Sequence, residues 1–210
     1  MAVEGLREQK KLQTRIDVVR AAIELFQRQG YEATTVEQIV DAARYSRSTF
    51  FRYFGSKEDV LFGDAPERLA ALRAELTSQR HTGKPWQCAR DALTRQMLIF
   101  TDLDPQIQTD CIALWFSDPD VKGRYMEITM AWEEAIAEFF ATERGVDVDA
   151  DIPSQVIASM MAGAVRAALR AQISGKISLG DAAEEAFRLV ESGLREGESA
   201  HSRQLTALAP

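Results

Sequence analysis

Histidine and cysteine are scarce in this chain, two of each in 210 residues, and the scarcity removes whole classes of chemistry. His81 lies in the loop-like run His-Thr-Gly-Lys-Pro and His201 in an aperiodic tail. Neither has a fixed setting in which to act as base for a serine nucleophile, and no nucleophile elbow occurs. A di-iron bundle would need Glu-x-x-His pairs on two helices and fails on the same inventory. Cys88 and Cys111 are embedded in apolar helical pattern and read as buried thiols rather than as a disulfide. The acidic run Val146 to Asp151 alternates like a calcium loop, but it lacks the glycine and the distal glutamate that an EF-hand places at set spacing. The expectation is a protein that is not an enzyme, holds no metal and needs no cofactor.

Long apolar runs are missing as well. No stretch of 18 or more apolar residues occurs, and the start, MAVEGLREQKK, has no apolar segment of the kind that directs secretion. A cytoplasmic protein without a membrane partner is expected. Proline is thinly spread: five of the six stand at helix starts or in loops, and none interrupts an apolar pattern from within. That distribution predicts an all-α fold of about nine helices. At 46% hydrophobic and 27% charged residues, the chain has the means to build a core.

A net charge of −7 is unpromising for a protein that meets polyanions until it is divided along the chain. Residues 1–57 carry ten Lys and Arg against seven Asp and Glu, a surplus of three, which leaves −10 for the remainder. A basic head on an acidic body concentrates attraction for phosphate at one end and discourages unspecific wrapping of nucleic acid. Within that head, residues 35–54, TVEQIVDAARYSRSTFFRYF, read as two short helices joined by a tight turn. Thr34 or Thr35 caps the first, and Thr34-Thr35-Val36-Glu37 has capping-box spacing. Val36, Ile39, Val40 and Ala43 share one face of it. Ser46 restarts the pattern as the cap of a second helix, in which Phe50 and Phe54, four apart, take the inner face. Arg47, Ser48, Thr49, Arg52 and Tyr53 are thereby turned outward, an array of donors and cations suited to a phosphate-lined groove. Before this pair, Ile16, Val19, Ala22, Ile23 and Phe26 recur at helical spacing up to Gly30, giving a helix that packs across the motif. Residues 1–11 read as a polar mobile arm.

The run YEATTVEQIVDAARYSRSTFFRYFGSKEDVL resembles the DNA-binding domain of the tetracycline-repressor (TetR) family, over roughly residues 12–72. The resemblance implies a helix-turn-helix head at 1–57 and a ligand-binding and dimerisation body at 58–197; residues 198–210 lack periodicity and read as a disordered tail. Its DNA contacts would be Arg47, Ser48 and Thr49 at base edges or neighbouring phosphates, Thr35, Tyr53 and Lys57 at phosphates, and Arg52 at either. Lys57, placed in the first turn of the next helix, would grip a phosphate together with free backbone donors. Arg44 stands where family members often carry glycine, a position that imposes positive φ on a side chain at a cost on the order of 1 kcal/mol.

The body reads as helices broken once at Gly63-Asp64-Ala65-Pro66 and then repeating to the end. It is rich in large, soft side chains, and a ligand cavity of the kind the family encloses would be walled by Met97, Phe100, Trp115, Tyr125 and Trp132, with Thr129 and Arg166 for selectivity. Arg166 and Arg170 share a face and would hold either an anionic head group or a carboxylate across a subunit seam. That seam is assigned to the last two helices, about 154–174 and 179–196, because Ala158, Ala162, Gly163, Ala164, Ala167, Ala168 and Ala171 permit close approach; an intramolecular hairpin is the competing reading. KEDVLFGDAPERLAALRAEL resembles the mycofactocin-regulator branch of the family, which implies an acyl-coenzyme A type of ligand. Together these features predict a homodimeric regulator, a repressor released from a palindromic operator by a small amphipathic or aromatic effector. A ligand-blind DNA-binding scaffold or an activator is the alternative.

Overall fold

The computed structural model describes residues 2–63, 65–81, 83–98 and 104–207, with side chains from Gln9 to Gly193. Among these residues there are ten α-helices and a single 3-10 turn at Val148–Ala150: α1 Ala2–Gln29, α2 Val36–Ala43, α3 Arg47–Tyr53, α4 Asp59–Phe62, α5 Ala65–Ser78, α6 Pro85–Leu98, α7 Pro105–Ser117, α8 Pro119–Arg144, α9 Ile152–Ile173 and α10 Leu179–Ala207. The all-α expectation holds. Two ends differ from it. Residues 2–11 are helical rather than an arm, and α10 continues through 198–207, where the sequence lacks periodicity but also lacks a proline.

The chain forms two compact units, Met1–Ala70 with Ile99–Met130 and Ala71–Leu98 with Ala131–Pro210. The division falls inside α5 and α8 rather than at residue 57. In the first unit, α1 buries Val18, Ala22 and Phe26 against Ile39 and Val40 of α2, while Phe50 of α3 is wholly enclosed and stacks at a tilt on Phe54, ring centroids 5.3 Å apart.

Around α4 the reason for the different boundary is visible. A one-turn helix leaves its carbonyls without partners along the chain, and Gly63, at φ 61 and ψ −155, turns the backbone away through a conformation reserved for glycine. Leu61 O instead accepts from Trp115 Nε1 at 3.2 Å and from Cys111 Sγ at 3.4 Å, both on α7. Phe62, Trp115 and Tyr125 stack in series with centroids 5.6 and 5.7 Å apart. Burial, and secondarily the charge of Asp110, pushes the Cys111 thiol up to about 12. The N-terminal parts of the presumed body therefore belong to the head's core.

In the second unit, α9 and α10 pack closely. Ala158, Ala162, Ala164 and Ala168 of α9 are buried, as are Ala182, Ala183 and Phe187 of α10. Trp86 of α6 meets Phe187 edge-on at 6.5 Å. Asp151 caps α9 by accepting from Ser154 N and Oγ, and Arg144 lies 3.2 Å from its carboxylate. The Ser154 bonds, and less strongly Arg144, hold that carboxyl below its usual value. Helix α9 has the length and apolar content of a membrane crossing, and 39% of that window is buried inside the protein.

Candidate nucleic-acid interface

Local chemistry fixes the two short helices. Thr35, in extended backbone, accepts from Gln38 N at 3.2 Å, and Thr35 N in turn donates to Gln38 Oε1 at 2.9 Å. The capping box thus closes on Gln38 rather than on Glu37, because Thr34 faces inward and donates to Gly30 O. Arg44 ends α2 at φ 58, ψ 39, so the strain anticipated for the turn is present. Tyr45 then donates to Asp17 on α1 at 2.9 Å, a bond that also raises the phenol's pKa and pins the turn. Ser46 caps α3 by accepting from Thr49 N at 3.1 Å.

With Phe50 and Phe54 inward, Arg47, Ser48 and Arg52 are exposed and Thr49 and Tyr53 half-buried. The Thr49 hydroxyl is 2.9 Å from that of Ser46, and the Arg52 guanidinium lies 4.8 Å from the Tyr53 ring. Two exposed neighbours of this array escaped the sequence reading. Glu37 reaches from α2 to Arg47, Oε1 to Nη1 2.5 Å, and Phe51, 45% exposed, lies under the same guanidinium at 5.4 Å. The i, i+4 rule that turned Arg47 outward applies to Phe51 too, since it falls off the Phe50–Phe54 face. Nothing in the spacing of Glu37 announces a partner ten residues away.

Lys57 departs furthest from expectation. Residues 56–58 form bends and a turn rather than helix, so Lys57 precedes the first turn of α4 instead of lying in it, and the carboxylate of Asp59 accepts from Gly55 N and Ser56 N at 2.8 and 3.1 Å. The Lys57 ammonium points inward, donating to Tyr31 O at 2.7 Å and Thr34 O at 3.0 Å, 4.0 Å from the Tyr31 ring centre. Tyr31 N donates in turn to Asp118 at 3.3 Å, where α7 gives way to α8, and Arg124 of α8 pairs with Glu58 at 3.2 Å. Lys57 is thus a brace for the loop between α1 and α2, tied to α8 through its neighbours. Enclosure, with Glu58 and Glu32 adding to it, raises the Tyr31 phenol's pKa.

The residues assigned to a ligand wall are divided. Trp115, Tyr125 and Thr129 belong to the first unit, where Trp115 is buried in the aromatic stack and Thr129 donates to Tyr125 O. Met97, Trp132 and Arg166 belong to the second, and Phe100 lies outside the described residues. Arg166 is half-buried, folds back to within 3.9 Å of where a side chain on Gly163 would begin, and makes no hydrogen bond or ion pair with the described residues.

Sequence comparison decides what this geometry serves. A profile of bacterial regulatory proteins of the tetR family matches residues 18–62, and the MftR C-terminal domain profile matches 84–195, more than half of the chain. The chain belongs to the TetR family. It is 32% identical over 158 residues to the transcriptional regulator TcmR of Streptomyces glaucescens, covering 73% of this chain and 70% of that protein. It is 30% identical over 176 residues to the putative mycofactocin biosynthesis regulator MftR of Mycobacterium tuberculosis, covering 82% and 87%. FadR of Bacillus subtilis, solved with stearoyl-CoA, shares the fold at TM-score 0.54 and 16% identity, over 84% of this chain and 97% of that one. As a TetR-family member this protein is a DNA-binding transcriptional regulator, and α2 and α3 are its helix-turn-helix.

Proposed function

We propose that the protein is a repressor that binds a palindromic operator as a homodimer and leaves it when a small amphipathic effector binds. The observation that carries this reading is α3, capped by Ser46 over a Phe50–Phe54 core, with Arg47, Ser48, Thr49 and Arg52 on its outer side. In a dimer with recognition helices about 34–36 Å apart, both enter successive major grooves. Arg47, Ser48 and Thr49 then meet base edges, Thr35 and Tyr53 anchor phosphates, and Arg52 does either. Lys57 keeps the loop between α1 and α2 in place and has one N–H left for a phosphate. The work is cytoplasmic, where the operator is.

The subunit seam of this proposal is the outward stripe of α9 and α10: Ile152 at 74% exposed, Val156, Gly163 and Ala167, with Leu189 at 55%. The buried alanines of α9 are already spent on α10, so these remaining small and apolar positions are what a second copy would cover. For the effector, the resemblance of residues 57–76 to the mycofactocin-regulator branch implies an acyl-thioester type of molecule. Met97 and Trp132 offer apolar contact, and Arg166 a half-buried cation with no hydrogen bond or ion pair among the described residues, open to an anionic head.

Selection of duplexes from a random pool defines the operator, and fluorescence anisotropy of that operator then follows release as acyl-CoA esters of graded chain length are added. A compound that raises the melting temperature and lowers operator affinity supports the reading. Compounds that bind without altering operator affinity refute the release step.

A further inference from the structure

We infer that Glu37 is a positioning residue for DNA sequence recognition: it holds Arg47 ready for a guanine and penalises duplexes that do not supply one. The inference rests on the reading of α3 as the helix that enters the groove. Glu37 and Arg47 side chains are 57% and 66% exposed, so their 2.5 Å pair is a surface ion pair of the sort that adds little to stability. A carboxylate on the DNA-facing side of a basic head also works against phosphate binding. Its presence beside the first residue of α3 is therefore better explained by selectivity than by affinity.

The geometry says how. The Arg47 guanidinium is fixed on two sides, with one Nη1 bond to Glu37 and its face over Phe51 at 5.4 Å. A fork held in this way gives up less rotamer freedom on meeting DNA, and N–H groups remain for guanine O6 and N7. Where the duplex offers another base, Arg47 stays with Glu37 and makes no bidentate contact, and the carboxylate cancels the attraction to phosphate that the lone cation would have had.

The test is selection from random duplexes with the full-length parent, Glu37→Ala, Glu37→Gln, Arg47→Ala and the double variant, after thermal melts confirm that each folds. The parent is expected to require guanine at one half-site position. Arg47→Ala and Glu37→Ala should each cut preference at that same base pair by about tenfold, the size of one good bidentate contact. Glu37→Ala should at the same time strengthen binding to random DNA several-fold, and Glu37→Gln, which keeps the acceptor, should retain part of the preference. In the Arg47→Ala background, Glu37→Ala should change preference no further. An unchanged preference in Glu37→Ala, or a loss at a different base pair from that of Arg47→Ala, overturns the inference while leaving α3 as the reading helix. A parent that enriches no sequence overturns the reading of α3 and this inference with it.

Discussion

Replacing Lys57 by methionine separates the structural account of this residue from the sequence-based one. Methionine keeps most of the stem but removes the ammonium that donates to Tyr31 O and Thr34 O and lies over the Tyr31 ring. Hydrogen bonds from a charged donor contribute about 1.5–3 kcal/mol each, and a cation over an aromatic face about 0.5–1. Lys57 is partly exposed, so the lower ends apply, and the sum is about 3.5 kcal/mol. With a urea slope of about 2 kcal/mol/M, the unfolding midpoint of the first unit should fall by about 1.7 M. Trp115, inside that unit, reports the transition once Trp86 and Trp132 are changed to phenylalanine. Operator binding at varied salt completes the test: the salt slope should fall by less than the 0.9 of one whole phosphate contact. An unchanged midpoint combined with a full unit lost from the slope would show that Lys57 grips DNA and braces nothing.

Further outcomes follow from other positions. Arg44→Gly relieves the left-handed backbone at φ 58 and should stabilise the head by about 0.5–1 kcal/mol in the same titration; a loss of stability would mean that the Arg44 side chain matters more than its backbone. A thiolate-directed reagent at pH 8 should label half-buried Cys88 and spare Cys111 until the protein is unfolded, since burial holds that thiol near 12; two labels in the native protein would contradict the packing around Leu61 O. Because the unfolded thiol loses its proton near 9.0 and the folded one near 12, the Cys111 contribution should erode as pH rises between those values, and Cys111→Ser should flatten that part of the stability profile. The depressed Asp151 carboxyl acts in the opposite direction: its stabilisation is present above the ordinary carboxylate value and lost as pH falls from there through the lower folded value, so Asp151→Asn should be less sensitive to acid than the parent by thermal melt. Val156→Glu and Leu189→Glu should give monomers in sedimentation equilibrium; variants as dimeric as the parent would place the seam elsewhere.

The head was legible in the sequence because its determinants are local. A cap at Ser46, apolar residues four apart at Phe50 and Phe54, and a turn at Arg44 that imposes positive φ all act within one or two turns of chain. What the spacing could not show was where long side chains end. Lys57 finds carbonyls 26 and 23 residues earlier, and Glu37 finds a guanidinium ten residues later. The acids after Ser56 suggest a helix start that includes Lys57, but the helix begins only at Asp59, whose carboxylate folds back onto Gly55 N and Ser56 N. Periodicity marked Trp115 as inward without saying into which core, and the bond to Leu61 O assigns it to the head's unit. The small residues of α9 were seen as a group, yet the helix divides them between an intramolecular face and an outward stripe.

Hydroxyl-radical footprinting on a selected operator tests the central claim most directly, comparing the parent with a variant in which Arg47, Ser48 and Thr49 are all alanine. The parent should protect two patches about 10–10.5 base pairs apart, one for each recognition helix, and the variant, still folded, should protect neither. A single unpaired patch, or a footprint indifferent to the three substitutions, would contradict the account.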